Sequence, residues 1–200
     1  MSKPQVTRRS YWQAVLATCL LIAAGTQFGH GAYILGKAEL AQFLITRAWN
    51  DNQHNGAAVA KPWAWADTSP VARLQFVRQH ESMIVLSGDS GRILAFGPGH
   101  NVNTPLPGTG GNSVISGHRD THFSILRDVV PGDSISLQTV TGITLHYEVQ
   151  SMQVVDKSRI DITGDNGYDE ISLVTCWPFD ALAANGPERL VISARRVPMT

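Results

Sequence analysis

Apolar and polar residues alternate over short stretches from residue 70 onward, and this alternation predicts β-strands separated by Gly- and Pro-rich turns. It is clearest over 143–149, a pattern typical of a half-buried antiparallel strand. The candidate strands are residues 71–77, 83–86, 113–116, 135–139, 143–149 with an extension over 151–155, 171–175 and 190–194. With a short helix over 121–129, a hairpin turn at 88–91 and a loop over 97–112, they predict a mainly β fold. We expect a closed or nearly closed barrel of about eight strands with short helices.

The beginning of the chain has a different pattern. No Asp, Glu, Lys or Arg occurs from Ser10 through Gly36, and Lys3, Arg8 and Arg9 precede this apolar run. A basic flank followed by an apolar run is typical of a signal anchor or signal peptide whose N-terminus stays in the cytoplasm. We therefore predict a cytoplasmic basic N-terminus over 1–10 and a transmembrane signal anchor over 11–31. A cleaved signal peptide and a lipoprotein modified at the cysteine of this run are the alternatives.

A second helical pattern follows the apolar run, and then a linker. Polar and apolar residues fall on separate stripes at helical spacing over 32–49. Pro62 cannot continue a helix, and it lies in a segment rich in Trp, Ala, Asn and Gly. We predict a helix and a Pro/Trp-containing linker over 32–68, followed by one catalytic domain over 69–200.

Composition then excludes several classes of protein. The chain has 200 residues, 43% of them hydrophobic and 16% charged, and the shortage of charge lies in the apolar run. The remainder has an ordinary composition, which excludes a disordered, collagen-like, coiled-coil or multi-span membrane protein. The 16 basic and 16 acidic residues include no basic block, so we expect no nucleic-acid partner.

A cysteine and a histidine lie at the ends of two predicted strands. Cys176 follows the strand 171–175, and it is the one cysteine outside the apolar run, so no disulfide framework forms. His118 follows the strand 113–116, where an imidazole can serve as base or cation for a reactive thiol. A buried inert thiol and a turn histidine are the alternative interpretations. His122 is the rival base.

Two further polar residues are candidates at these strand ends. Arg189 opens the last predicted strand, where its guanidinium can face a developing oxyanion or a substrate carbonyl. An ion pair with Glu188 or Asp180 is the alternative. Asp120 follows His118 closely and is first of all a candidate helix N-cap.

Three motifs resemble those of the sortases. Gly117–Thr121, Leu173–Cys176 and Arg189–Ala194 look like the His, Leu-x-Thr-Cys and Arg motifs of that family, with the Arg 13 residues after the Cys. The segments 62–67, 94–98 and 117–123 resemble its Gram-negative (proteobacterial, class GN) branch.

The resemblance implies an eight-stranded sortase-type β-barrel and a cysteine transpeptidase that needs no cofactor. The thiolate of Cys176 would attack the Thr–Gly bond of a Leu-Pro-x-Thr-Gly-like C-terminal sorting signal and form a thioester. His118 would transfer protons, and Arg189 would stabilise the oxyanion or position the signal. Thr175 and Asp120 would bind substrate, and the acyl group would pass to an amine acceptor whose identity the sequence does not give.

The resemblance also implies a place in the cell and a partner. We expect a single-pass protein of the bacterial inner (cytoplasmic) membrane with its catalytic domain in the periplasm. Its partner would be one dedicated target protein that carries the sorting signal. A cysteine peptidase that hydrolyses the same signal, and an inactive peptide-binding barrel, are the alternative functions. An L,D-transpeptidase is disfavoured because Thr175 and Trp177 flank the cysteine instead of that family's residues.

Two other sequence features are interpreted as ordinary surface loops. Leu106–Gly110 has the letters of a sorting signal, but no apolar stretch and basic tail follow it, so we predict a surface loop. Five acidic residues precede or begin the cysteine strand: Asp156, Asp161, Asp165, Asp169 and Glu170. Their spacing does not fit an EF-hand, so we favour a solvated loop over a calcium site and predict no metal ligands.

Overall fold

This computed structural model describes residues 8–55, 59–159, 167–181 and 186–198. The chain divides into two compact units, residues 1–41 and 42–200. The first is helical throughout its described part, and the second is a β-barrel.

The helix α1 (Arg8–Asn55) is continuous over 48 residues, so the two helical patterns of the sequence form one element. Most of its apolar side chains in the first unit are exposed, for example Leu21 at 73% and Phe28 at 80%. The stretch 11–54 contains an 18-residue window with a mean hydropathy of 1.3, none of it buried. By length and composition α1 is therefore a candidate membrane span. The predicted basic N-terminus lies mostly outside the described residues.

The described part of the second unit contains eight strands and three short helices. The strands are β1 (Pro70–Phe76), β2 (Glu81–Ser87), β3 (Gly99–His100), β4 (Asn112–Ser116), β5 (Ser134–Thr139), β6 (Thr144–Asp156), β7 (Glu170–Cys176) and β8 (Glu188–Val197). The helices are α2 (Gly91–Leu94) and two 3₁₀ helices, Ser124–Arg127 and Lys157–Arg159.

The strands close into a barrel in the order β1-β2-β3-β4-β7-β8-β6-β5. Most neighbours are antiparallel, whereas β4 runs parallel to β7 and β3 runs parallel to β2. The prediction of a closed, mainly β barrel of eight strands is confirmed.

Alternate residues of the strands fill the barrel, as the sequence pattern predicted. Leu74, Leu137 and Ile192 are fully buried there, and burying each such side chain contributes about 1.5–3 kcal/mol. The other buried members of this core are Ala72, Phe76, Val85, Ile115, Phe123, Leu126, Val129, Ile135, Leu145, Tyr147, Val149, Ile171, Leu173, Leu190 and Ala194.

A second, smaller core joins the last turns of α1 to the barrel. Ile45 packs with Leu86 and Ile93, and the half-buried ring of Trp63 joins them. The rings of Trp63 and Phe96 meet edge to face with centroids 5.3 Å apart. Part of the predicted linker therefore docks on the barrel.

Three local predictions were wrong. The segment 88–91 is not a hairpin turn, because α2 carries the chain across and β3 then pairs parallel to β2. The predicted loop 97–112 contains β3, which is too short to show an alternating pattern. The predicted helix 121–129 is a run of turns and the four-residue 3₁₀ helix Ser124–Arg127, because the β-branched pair before Pro131 disfavours further helix.

Candidate active site

The ends of β4, β7 and β8 meet at one rim of the barrel. Ser116 is the register partner of Val174, and the Gly117 N–H donates to the Val174 carbonyl at 3.0 Å. Cys176 is the register partner of Arg189 on the next strand. His118 comes two residues after Ser116, as Cys176 comes two residues after Val174. The strand order therefore brings the three predicted catalytic residues to the same rim.

Cys176 and Arg189 share a face of the sheet that is opposite to the barrel core. Leu173 and Ile192 are paired and buried in the interior, and side chains alternate between faces along a strand. Cys176, three residues after Leu173, and Arg189, three before Ile192, therefore lie on the outer face. A thiol and a guanidinium on adjacent strands and one face can act on the same bound group.

Cys176 is the last residue of β7 and is half-buried with a free thiol. The N–H of Trp177 donates to the Glu188 carbonyl at 3.1 Å, which holds the chain directly after the cysteine. The Trp177 ring then meets the Phe179 ring edge to face, with centroids 5.6 Å apart. The thiol thus sits on a fixed strand end and is reachable, as a nucleophile requires.

His118 is exposed and begins the turn after β4. Its carbonyl accepts hydrogen bonds from Thr121 N at 3.4 Å and Phe123 N at 3.0 Å. The turn packs closely, because a Cβ on Gly117 would lie 2.6 Å from the buried ring of Phe123. Only a glycine at 117 allows the chain to place His118 at this point without displacing that ring.

Thr175 hydrogen-bonds within the protein. Its hydroxyl donates to the Gly117 carbonyl at 2.8 Å, and the residue is 2% exposed. This bond ties the strand residue before Cys176 to the residue before His118. The structure therefore gives Thr175 a positioning contact, and its contact with substrate stays a prediction.

Arg119 is a residue of the site that the sequence analysis did not single out. Its guanidinium is buried and donates from Nη1 to the Pro178 carbonyl at 2.8 Å and from Nη2 to the Ala181 carbonyl at 2.7 Å. The residue after His118 thereby holds the loop that follows Cys176. A buried arginine needs such partners, but the sequence signal for it was only its place beside the histidine.

Asp120 is exposed, and its carboxylate accepts a hydrogen bond from Arg119 Nε at 3.3 Å. It does not cap a regular helix, because turns follow it. Its proposed contact with substrate also stays a prediction.

Arg189 is half-buried, and its Nη1 donates to the carbonyls of Gly186 and Glu188 at 2.7 and 2.8 Å. No ion pair joins it to Glu188 or Asp180 in the described part of the chain. Its positive charge contributes to lowering the pKa of Asp156, whose main cause is the hydrogen bond from Ser158. The guanidinium is held by backbone carbonyls, and no carboxylate of the described residues forms a salt bridge with it.

His122 lies close to His118 but differs from it in burial. Burial lowers the pKa of His122 below its usual value, and the positive charge of His118 lowers it further. Its ring is half-buried, and its Nδ1 is 3.4 Å from the Thr121 hydroxyl. The effect of His118 on this pKa shows that the two imidazoles belong to one electrostatic neighbourhood.

The acidic residues considered for calcium have other partners where they are described. Glu170 pairs with Arg195, and Asp169 pairs with Arg196 and accepts from the Tyr147 hydroxyl. Asp161 and Asp165 lie outside the described residues. Within the ranges given above, no three His, Cys, Asp or Glu side chains converge to hold a metal ion.

Comparison with known proteins identifies the family. The family model named Sortase domain matches residues 75–197. Sortase D of Bacillus subtilis (strain 168) is 31% identical over 125 residues, which are 62% of this chain and 62% of that protein's length.

Solved structures share the barrel. Sortase C-1 from Actinomyces oris is 33% identical with a TM-score of 0.58, over 66% of this chain and 76% of that chain. A sortase C from Clostridium perfringens, solved with the C-terminal cell wall sorting motif, is 22% identical with a TM-score of 0.60. The match covers 82% of this chain and 91% of that one, and at 22% identity the similarity concerns the fold alone. Since the family model spans more than half of the chain, the chain belongs to the sortase family.

Proposed function

We propose that this protein is a membrane-anchored cysteine transpeptidase that cleaves a Leu-Pro-x-Thr-Gly-like C-terminal sorting signal and transfers the acyl part to an amine. The observation that carries the proposal is that His118 follows the end of β4, while Cys176 and Arg189 lie at the paired ends of β7 and β8, at one rim of the barrel. Membership of the sortase family supports the same assignment.

In the first half-reaction, the Cys176 thiolate attacks the carbonyl carbon of the Thr–Gly bond. A C–S bond forms as the C–N bond breaks, and His118 as imidazolium gives its proton to the departing amine. The product is a thioester on Cys176 and a free C-terminal fragment. A thioester divides one difficult acyl transfer into two easier ones.

In the second half-reaction, an amine attacks the thioester carbon. The new C–N bond forms, the C–S bond breaks, and His118 takes the proton that the amine releases. The thiolate is thereby restored. Water in place of the amine gives hydrolysis, which is the reaction of the alternative cysteine peptidase.

Arg189 supplies positive charge where the tetrahedral oxyanion develops. Its guanidinium carries five N–H donors, and the two backbone carbonyls that hold it use only Nη1. Donors therefore remain for an oxyanion or for a carbonyl of the signal, and a fixed cation beside a developing negative charge lowers the barrier.

The setting of the enzyme is part of the proposal. The apolar helix α1 would anchor it in the inner membrane as a single span, with the basic N-terminus in the cytoplasm and the barrel in the periplasm. The motifs that resemble the Gram-negative branch support a dedicated role on one signal-bearing target protein.

The test uses the full chain in detergent and quenched peptides that carry variants of the signal, each with and without an added amine. Wild type should form a peptide adduct on Cys176, seen by intact mass, and convert it to an amine-ligated product. Cys176→Ala should bind peptide without forming the adduct. Release of hydrolysed product with no gain from any amine would support the peptidase, and equal peptide processing by Cys176→Ala would remove the thiol from the mechanism.

A further inference from the structure

A cavity of about 620 Å³ opens beside β2, close to His118 along the chain. One wall is the first half of β2, from Glu81 to Ile84. The opposite wall includes Thr121, His122 and Asp128 from the segment after β4. The cavity is not the rim that holds Cys176 and Arg189.

The β2 wall of this cavity is an open strand edge. The Ser87 N–H donates to Ser69 on the β1 side at 2.8 Å, whereas the Leu86 N–H donates to Pro98 on the other side at 2.8 Å. Backbone groups alternate in direction along a strand, so Ser82 and Ile84 face the same way as Leu86.

No described strand pairs with that part of the edge. β3 reaches only Leu86 and Ser87 of β2. The Ile84 carbonyl lies against the backbone of the lining residue Gly97, where an added Cβ would be 3.0 Å from it, so the unpaired part of the edge is at Ser82. Ser82 thus presents an N–H and a C=O group that an extended peptide could pair with, which is the geometry of strand addition.

The charges at the cavity favour a cationic peptide. Glu81 and Asp128 are exposed carboxylates, and neither has a salt bridge in the described ranges. Arg73 also lines the cavity, but its guanidinium lies 5.4 Å from the centre of the Trp49 ring. Arg78 forms a two-pronged pair with Asp133, and it also donates to the Asp128 backbone carbonyl and interacts electrostatically with the Asp128 carboxylate, so Glu81 is the stronger determinant of charge selection.

The cavity also reaches the neighbourhood of the proposed proton donor. Thr121 lines it, and the Thr121 N–H donates to the His118 carbonyl at 3.4 Å. His122 lines it as well, and burial keeps that imidazole in its neutral form over a wider pH range by lowering its pKa. A chain lying in the cavity can therefore present one end to the chemistry at His118.

We propose that this cavity receives the amine acceptor, as an extended basic peptide segment that adds to the open edge of β2 at Ser82. Main-chain hydrogen bonds would hold the segment, and Glu81 and Asp128 would select basic side chains. This inference rests on the proposed transpeptidase function, since it concerns the second half-reaction.

The experiment separates the two half-reactions in the full chain in detergent. Adduct formation on Cys176 without amine measures the first, and aminolysis by Gly-Gly-Lys-Lys amide or by glycine amide measures the second. Ser82→Pro removes the N–H that faces the cavity, a change that an open strand edge tolerates. Ser82→Ala keeps that N–H and is the matched control, and thermal melting checks the fold of both.

In Ser82→Pro, we expect the tetrapeptide concentration for half-maximal aminolysis to rise about fivefold, the effect of losing one hydrogen bond. The rate of aminolysis by glycine amide and the rate of adduct formation should both be unchanged. Ser82→Ala should match wild type in all of these measurements. Glu81→Gln should raise the same concentration about two- to fivefold, as for an exposed ion pair, whereas Glu148→Gln, an exposed acid away from the cavity, should not. If Ser82→Pro and Ser82→Ala have the same half-maximal tetrapeptide concentration for aminolysis, the inference is overturned. If Ser82→Pro also loses adduct formation to the same extent, the cavity binds the sorting signal instead, and the inference is again overturned.

Binding to Cys176→Ala keeps this inference separate from the proposed function. Anisotropy of a fluorescent Gly-Gly-Lys-Lys peptide should show binding that weakens in the double variant with Ser82→Pro. If wild type forms no adduct but this binding is present, the proposed chemistry fails and the peptide site stands. If the adduct forms and the binding is absent or independent of residue 82, the site fails alone.

Discussion

Arg119 donates from its buried guanidinium to the carbonyl of Pro178 at 2.8 Å, joining the residue after His118 to the second residue after Cys176. A second bond from the same side chain reaches Ala181 at 2.7 Å. The relative placement of the two reactive groups therefore depends on one side chain as well as on the β4–β7 ladder.

Replacing Arg119 tests this dependence. Arg119→Met leaves two carbonyls without their donors and frees the loop after Cys176, so we expect adduct formation to slow about 100-fold, since small misplacements of reacting groups have effects of that order. Arg119→Lys, with one cationic donor group in place of the fork, should recover part of the rate. The measurement is the rate of adduct formation against pH and peptide concentration.

If Arg119 positions the loop, its replacement should lower kcat more than it changes KM. The partial recovery of the rate in Arg119→Lys should also be seen at temperatures where every variant is folded. Arg92→Met is the control, because Arg92 is an exposed arginine whose partner is Asp67. A rate loss in Arg119→Met that follows the fraction of unfolded protein would assign the residue to stability alone.

The two neighbouring histidines should respond differently to substitution. His118→Ala removes the proposed proton donor, and we expect a loss of about 10²–10⁴-fold in adduct formation with a Thr–Gly peptide. His122→Ala should leave adduct formation nearly unchanged, because His122 lines the cavity beside β2 and burial lowers its pKa. A thioester substrate, whose leaving group needs no proton, should restore much of the rate in His118→Ala. The opposite order of the two losses would make His122 the proton donor.

Gly117 should tolerate no side chain. Gly117→Ala places a methyl group about where the Phe123 ring lies, and a Cβ there would be 2.6 Å from that ring. Overpacking of this kind costs about 1–3 kcal/mol, and the shift of the turn displaces His118. Denaturant unfolding and adduct formation should both decline. Normal values of both would show that the ring moves aside without consequence for the turn.

The Asp133–Arg78 pair gives a pH-dependent contribution to stability. The Arg78 side chain donates to both carboxylate oxygens at 2.7 and 2.8 Å, and these bonds lower the pKa of Asp133 from 3.8 to about 2. A lowered folded-state pKa stabilises the fold above the unfolded value, and this contribution is lost as the pH falls from about 4 towards 2.

Asp133→Asn should therefore reduce the free energy of unfolding at pH 7 by about 1–2 kcal/mol, the scale of a charged hydrogen bond. Its deficit relative to wild type should shrink as the pH approaches 2. Denaturant unfolding at pH 7, 4 and 2.5 measures both effects, with Asp89→Asn as a control at another carboxylate. A deficit that is constant over this range would mean that the charge of Asp133 is not what stabilises the fold.

Local patterns in the sequence predict most of the strands and the candidate site residues. Alternating side chains predicted seven of the strands, because one face of each must enter the barrel core. The motifs around His118, Cys176 and Arg189 predicted residues that the strand order then brought to one rim. The uncharged run predicted an apolar helix, since its length and composition alone meet the requirement for a membrane span.

Other features depended on contacts between distant residues. β3 has only two residues, so no periodicity could reveal it, and its parallel pairing with β2 follows from α2 carrying the chain across. The motif predicts that Thr175 binds substrate, but only the strand register reveals that its hydroxyl also bonds to the Gly117 carbonyl.

The contacts of Arg119 and the open edge of β2 follow only from the three-dimensional arrangement of the chain. The partners of Arg119 lie about 60 positions later in the chain, and nothing local to the arginine specifies which carbonyls will meet it. The edge at Ser82 is open because β3, which runs parallel to β2, begins only at Gly99 opposite Leu86. The local sequence determines which faces of the strands are apolar. The partners of buried donors and of strand edges depend instead on how the whole barrel closes.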